Sequence, residues 1–261
     1  KQVFAPNGHQ VTRPYPTDPV LNKDNDDHPT FHPGIWLAFG DINGHDFWRN
    51  KARVRHIEFI DGPSVTESVV RFTVLNRYET DEAEIICEEV CTYEIHVTPS
   101  GYLLSGYSTF ESTSADFAFG DQEEMGFGVR LATALTVKFG SGAILNSEGG
   151  KNEKGTWGKK ADWCAYDGLL KNHRTGVMLV PHPSNFRRAW FHSRDYGLLV
   201  ANPFGEKAMT GPNDDTIAPD STPVRSSNKF SLEFSILIYG TQNANAFPHE
   251  QAYTEVLSTI P

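Results

Sequence analysis

The residues best suited to chemistry in this chain gather in two stretches. Residues 27–58 carry His28, His32, Asp41, His45, Asp46, Arg49, Lys51, Arg53, His56 and Glu58 among Trp36, Phe39, Phe47 and Trp48. A packed core avoids so many ionisable groups, and an ordinary solvated loop does not carry two tryptophans, so the mixture points to a concave site. Residues 181–205 repeat the pattern with His182, Asn185, Arg187, Arg188, Trp190, His192, Arg194 and Asp195. The two stretches are expected to wall a single pocket.

His28 and His32 stand four apart, a spacing that on a helix would put both imidazoles on one face, but Pro29 and Pro33 disfavour a helix there. No Glu follows His28, so the zinc-protease pattern is absent as well. Imidazoles titrate near neutrality, and three roles stay open for the pair: acid–base work on a ligand, ligation of a divalent metal with a carboxylate, and structural hydrogen bonding. Carboxylates cluster mid-chain as Asp121, Glu123, Glu124, Glu148 and Asp162. Glycan chemistry needs carboxylates paired across a substrate or set opposite a histidine. Asp121 and Glu123 read as a solvated acidic turn, while Glu124 and Asp162, beside strand-like and aromatic residues, are the stronger candidates. The pair Asn43-Gly44 marks a turn, with Asp41 expected to cap it and Asp46 to pair with Arg49. Around Trp190, polar and aromatic residues alternate, so a strand would point His192 and Arg194 the same way. Arg194 would then hold an anionic group such as a uronic acid, or pair with Asp195 or a Glu.

The expected catalytic set is therefore His28, His32, Glu124, Asp162, His182 and His192. Expected substrate contacts are Trp36, Asp46, Trp48, Arg49, Lys51, Glu148, Trp163, Asn185, Arg187, Trp190 and Arg194. No cofactor is expected outside the divalent-metal reading of His28 and His32.

These side chains need a rigid frame. Segments rich in β-branched and aromatic residues recur at 68–76, 84–98, 102–110, 127–138, 177–181, 197–201 and 229–239, separated by Gly, Asn, Asp and Pro. Alternation in the last would bury Phe230, Leu232, Phe234 and Ile236 on one face. Pro99-Ser100-Gly101 is expected to turn a hairpin. Only 248–260 has helical spacing, through Ala252, Tyr253, Val256, Leu257 and Ile260 behind Pro248. Residues 205–227 read as a long surface loop, and 149–158 as a loop that lacks the phosphate-cradling pattern. The fold class is all-β, a large antiparallel β-sandwich with a short C-terminal helix, organised as one domain over 1–261.

A net charge of -10 is a poor footprint for nucleic acid. No apolar run approaches the roughly 20 residues that span a bilayer, and no signal-peptide core follows Lys1, so membrane insertion is not expected. An oligosaccharide or other small molecule is the expected partner. The chain has 3 cysteines, an odd count. In a strand Cys87 and Cys91 would stand about 13 Å apart, too far to bridge, and all are expected to act as small buried hydrophobes.

A longer series of motifs carries a family resemblance. It runs from Asp27-His28-Pro29 and Gly34-Ile35-Trp36 through Gly40-Asp41-Ile42-Asn43-Gly44 and Asp46-Phe47-Trp48 to Glu124, Gly126 and Arg130. It continues through Asn146-Ser147-Glu148-Gly149, Trp157-Gly158, Asp162-Trp163, His182-Pro183, Asn185 and Trp190-Phe191-His192-Ser193-Arg194-Asp195-Tyr196-Gly197 to Ala201-Asn202-Pro203-Phe204-Gly205. Together these resemble a bacterial family labelled "methane oxygenase PmoA", or PmoA-like. The chain departs from the family's commoner His-Pro-His-His-Arg run, reading His28-Pro29-Thr30-Phe31-His32. Methane oxidation by a membrane assembly does not fit a chain without a spanning segment. The resemblance implies a galactose-mutarotase-like sandwich and a glycan-related role. A bacterial protein handling polysaccharide is expected in the periplasm or outside the cell. The expected function is a carbohydrate-active enzyme, hydrolase or lyase, with a non-catalytic glycan-binding protein and a metal-dependent enzyme as its rivals.

Overall fold

The computed structural model describes residues 2–15, 32–66 and 68–260. Its strands pair antiparallel throughout, as short alternating segments separated by turns favour. Eight form one sheet in the order Arg53–Thr66, Val69–Glu79, Ile85–Thr98, Gly101–Glu111, Phe230–Gly240, His173–Pro181, Cys164–Leu170 and Gly142–Asn146. Five form a second, in the order Gly34–Phe39, Met125–Arg130, Leu198–Asn202, Trp190–Arg194 and Lys159–Lys160. The expected sandwich is thus formed, and Pro99-Ser100-Gly101 turns the expected hairpin, with Thr98 opposite Gly101.

Period-two alternation decides what each face holds. Along Phe230–Gly240, Leu232, Phe234, Ile236 and Ile238 enter the core between the sheets, where Phe127 of the second sheet stacks on Phe234 at 5.5 Å. Leu237 and Tyr239 face the other way and pack beneath Ala252 and Val256 of the C-terminal helix, His249–Thr259. In the five-stranded sheet Phe127, Val129, Phe191 and Leu199 face inward. The alternate positions, Gly126, Gly128, Arg130, Trp190, His192 and Arg194, therefore lie on its outer face. Gly128 keeps this face open: an added Cβ would stand 3.0 Å from the Trp36 ring and 3.0 Å from Val200, so one of these side chains would have to shift to admit it.

Several expectations are corrected. The 127–138 segment stops as a strand at Arg130, and a 3₁₀ turn, Thr133–Leu135, follows. The Thr136 hydroxyl donates to the Thr133 carbonyl at 2.9 Å and accepts from the Phe139 N–H at 3.1 Å, offering the backbone a local alternative to the ladder. Residues 205–227 are not a plain loop, for they contain the helical turn Glu206–Thr210 and the strand Thr222–Val224, paired with Phe117–Phe119. Asp121 is no mere solvated turn: its carboxylate accepts from the N–H groups of Lys207, Ala208 and Asp220 at 2.9–3.0 Å. A further helical turn, Asn152–Thr156, stands within 149–158, so the C-terminal helix is not the only one. His56 and Glu58 lie on the exposed edge strand Arg53–Thr66 rather than in a pocket wall. Cys87, Cys91 and Cys164 are buried and unbridged, and burial pushes the Cys87 and Cys91 thiols up to about 12.

Candidate functional site

The outer face of the five-stranded sheet carries an open pocket of about 530 Å³, lined by Glu123, Glu124, Lys138, Glu153, His192, Arg194, Asp195 and Tyr196. Glu123 and Glu124 lead into Met125–Arg130, and His192 and Arg194 share one side of Trp190–Arg194, as their spacing requires. Glu153 comes from the turn Asn152–Thr156, locked to the next loop by paired bonds. The Glu153 N–H donates to Asp195 Oδ1 at 2.9 Å, and the Asp195 N–H donates to Glu153 Oε2 at 3.0 Å.

His192 is held at both ring nitrogens. Nδ1 lies 2.9 Å from the Glu123 carbonyl, which can only accept, and Nε2 lies 3.1 Å from Arg194 Nε, which can only donate. The imidazole thus carries its hydrogen on Nδ1 and orients the guanidinium. Arg194 donates further to Glu153 Oε1 at 3.0 Å and Glu123 Oε2 at 3.3 Å, and its plane sits 5.3 Å from the Trp157 ring. Trp157 and Lys154 extend the pocket into an adjoining groove beside Glu153 and Arg194.

Glu124 also lines the pocket. Its carboxylate, 14% exposed, pairs with the Arg49 guanidinium, while its backbone carbonyl accepts the Gly40 N–H at 2.8 Å. Asp46 holds Arg49 in turn, taking its backbone N–H at 2.9 Å and Nη1 at 3.2 Å, with Lys51 Nζ 3.4 Å away. Burial pushes the Asp46 carboxyl up, but these donors outweigh it and keep it below the usual carboxylate range. Asp41 caps the Asn43-Gly44 turn by accepting the Gly44 N–H at 2.7 Å. Of the expected residues, Asp46 and Arg49 of the early stretch thus meet Glu124, which lines the pocket together with Glu123, His192 and Arg194.

Much of the expected set does not join them. His28 lies outside the described residues. His32 has φ +56°, and its ring packs against Trp36 at 4.7 Å and Trp48 at 4.5 Å. Trp48 is 1% exposed, Trp163 is buried and stacked on His249 at 5.3 Å, and Trp190 is buried beneath Lys160 at 4.2 Å. Expected as substrate contacts, these three indoles are packing groups, because a large apolar ring gains more by leaving water than by lining a wet cleft. Asn185 is committed to the backbone, its amide bonding both the carbonyl and the N–H of Glu233 at 2.8 Å. Arg187 is taken by Asp220 at 2.5 Å and Glu206 at 3.4 Å. Asp162 and His182 sit in a separate cavity of about 250 Å³ with Arg188, and Glu148 joins them through Arg188 at 2.5 Å. The anticipated single pocket is therefore two.

Glu153, Lys138, Tyr196 and Trp157 were missed as site residues. The available signal was Trp157 beside the polar run Lys151-Asn152-Glu153-Lys154, set aside once its phosphate pattern failed. Among the described residues no three His, Cys, Asp or Glu side chains converge so as to hold a metal ion. Nor is any described helix long and apolar enough to cross a membrane.

Comparison with known proteins gives a family and a set of similar folds. The model of a family described as a family of unknown function, DUF6807, matches residues 3–244. No PmoA family matches with it, so the PmoA label is corrected and dropped. No curated protein matches the chain. Among solved structures, a galactose mutarotase-like protein from Lactobacillus casei is similar at 12% identity over 89% of this chain and 90% of that one, with a TM-score of 0.47. A galactose mutarotase related enzyme from Lactobacillus acidophilus is similar at 11% identity over 92% and 90%, with a TM-score of 0.38. The GH36 α-galactosidase AgaA from Geobacillus stearothermophilus is similar at 11% identity over 89% of this chain but 32% of that one, with a TM-score of 0.41. Such likenesses concern the fold and assign no residue a role.

Proposed function

The chain therefore belongs to the DUF6807 family of unknown function, and, since membership brings no activity with it, we propose from its own side chains that it is a carbohydrate-active enzyme. One sandwich domain would carry the site, and a glycoside hydrolase acting on a neutral oligosaccharide is the form of the proposal that the pocket supports best. The observation that carries it is the shielded Glu124 carboxylate, held by Arg49 and facing Glu123, Glu153 and His192 across one open pocket. Glycoside hydrolysis uses two carboxyl groups, one protonating the leaving oxygen and the other acting as base or nucleophile. Glu124 takes one role and Glu123 or Glu153 the other. His192, with both nitrogens engaged, is a positioning residue that fixes Arg194 rather than the acid–base group expected from sequence.

The anionic-substrate reading loses ground on charge. Arg194, expected to hold a uronic acid, and Arg187, an expected substrate contact that could do the same, each already face two carboxylates. Hydroxyl groups suit the remaining acceptors better. A non-catalytic glycan-binding protein is the second reading, favoured by the engagement of both His192 nitrogens.

Purified protein would be incubated with neutral and uronic oligosaccharides, with product analysis run beside calorimetry. Turnover of a neutral substrate that collapses in Glu124→Gln is expected. Saturable binding with no product would give the second reading, and turnover unchanged in both Glu124→Gln and Arg194→Ala would end the site assignment.

A further inference from the structure

The cavity of about 250 Å³ beside the C-terminal helix shares no lining residue with the first pocket. Its walls come from three distant parts of the chain: Ala161 and Asp162, Pro181 to Pro183 with Arg188, and Tyr253 of the helix. Alternation along Phe230–Gly240 separates the two sites. The helix covers the face bearing Leu237 and Tyr239, whereas the five-stranded sheet that bears the first pocket packs against Phe234 and Ile236. The two hollows thus have wholly different linings, and only the second reaches the C-terminal helix.

Asp162, Arg188 and His182 of this cavity are each held by hydrogen bonds. Asp162 accepts from Arg188 Nε at 2.8 Å, while its N–H donates to Ser147 Oγ at 2.9 Å. Arg188 Nη2 reaches Glu148 at 2.5 Å, so one guanidinium is shared by two carboxylates. The Arg188 link holds the Glu148 carboxyl below its ordinary value, and burial followed by the Asp162 charge pushes the Tyr253 phenol above its own. At His182, Nδ1 accepts the Ser184 N–H at 3.1 Å and lies 2.6 Å from Ser184 Oγ. A backbone N–H can only donate, so the Glu233 oxygen 3.4 Å from the same nitrogen is an electrostatic neighbour rather than a hydrogen-bond partner. The ring hydrogen is therefore on Nε2.

We propose that this cavity is a second ligand site, separate from the first pocket, that takes one neutral sugar ring. Its volume limits the occupant to about one such ring. Arg188 is neutralised by Asp162 and Glu148, so no surplus positive charge recruits an anion. Carboxylate, guanidinium and imidazole edges supply acceptors and donors for hydroxyl groups. The Tyr253 ring and the rings of Pro181 and Pro183 supply the apolar surface that the C–H face of a pyranose seeks. A terminal residue of an oligosaccharide fits this description, and the site would tether a longer glycan whose remainder lies outside. The proposal stands whether or not the first pocket catalyses.

Calorimetric titration of the full chain with methyl glycosides of glucose, galactose and mannose, and with methyl glucuronide as the anionic control, tests it. One class of site lost in Tyr253→Ala, with melting temperature kept, and retained in the Glu124→Gln, Arg194→Ala double variant, is the expected result. Methyl glucuronide should bind that site at least tenfold more weakly than the neutral glycosides. If Tyr253→Ala fails to fold, Asp162→Asn provides the same readout with at least a fivefold loss of affinity. No binding of any neutral glycoside, or binding that only the Glu124 and Arg194 substitutions remove, would overturn the proposal.

Discussion

The pocket beside Glu124 and the cavity beside Tyr253 use the same vocabulary of carboxylate, guanidinium, imidazole and aromatic ring, yet they treat charge differently. In the first, Glu124 is 14% exposed and its Arg49 partner is itself held by Asp46. In the second, Glu148 and Asp162 are 51% and 48% exposed and share Arg188. Water screens the second arrangement, and ion pairs of that kind contribute little. Glu124 and Arg49, by contrast, are screened less, because the Glu124 carboxylate is mostly withdrawn from water. On the two proposals, similar composition would serve proton transfer at one place and recognition at the other. Depth separates Glu124 from Glu148 and Asp162.

The largest expected effect strikes that difference directly. Glu124→Gln keeps the shape of the pocket and removes the proton-transferring group, so kcat on a cleaved oligosaccharide should fall by about 10²–10⁴-fold, measured by product release under saturating substrate. A loss below threefold would mean that Glu124 only positions. Next comes the packing behind the first pocket. Trp48→Ala should cost about 3–5 kcal/mol in denaturant unfolding, because a buried indole in contact with Trp36 and the His32 ring leaves a cavity behind. An unchanged midpoint would show that the Trp48 site collapses without penalty.

A smaller effect separates the regions by pH. Burial holds the His249 imidazole below its usual 6.5, against the pull of Asp167, 3.5 Å away. Such a group binds its proton more readily in the unfolded chain, so its contribution is full above 6.5 and is lost as pH falls below that value. Melting temperature should therefore drop between neutrality and mild acid, with a shallower slope in His249→Gln; identical slopes would remove His249 as the cause. Smallest of all, Arg188→Ala should change stability by about 0–1 kcal/mol, since its partners are half exposed. A cost of several kcal/mol would mean that the second cavity is less solvated than its exposure implies.

Legibility in the sequence followed the range of the forces involved. The alternation of Phe230, Leu232, Phe234 and Ile236 is local, and the strand and its buried face form as read. The Asn43-Gly44 turn, the Asp46–Arg49 pair and the shared side of His192 and Arg194 depend on neighbours within a few residues, and each was readable in advance. Arg53–Thr66 was not read as a strand because, at a sheet edge exposed on both faces, it keeps charges where an inner strand would be apolar. Trp36 and Trp48 have similar neighbours in sequence, but only Trp48 is fully buried, a difference that long-range packing decides.

The sequence by itself determined an antiparallel sandwich with a helix at its end, since hydrophobic periodicity and turn chemistry act over a few residues and need no knowledge of distant partners. It also determined which residue types were available for acid–base work. Only the tertiary structure decided which of them meet. Residues 46, 49, 124, 153, 192 and 194 converge through sheet register across more than a hundred positions, while 148, 162, 182 and 188 are carried to another cavity. Register is set by the packing of two whole sheets against each other, and no local pattern encodes the position of a far strand.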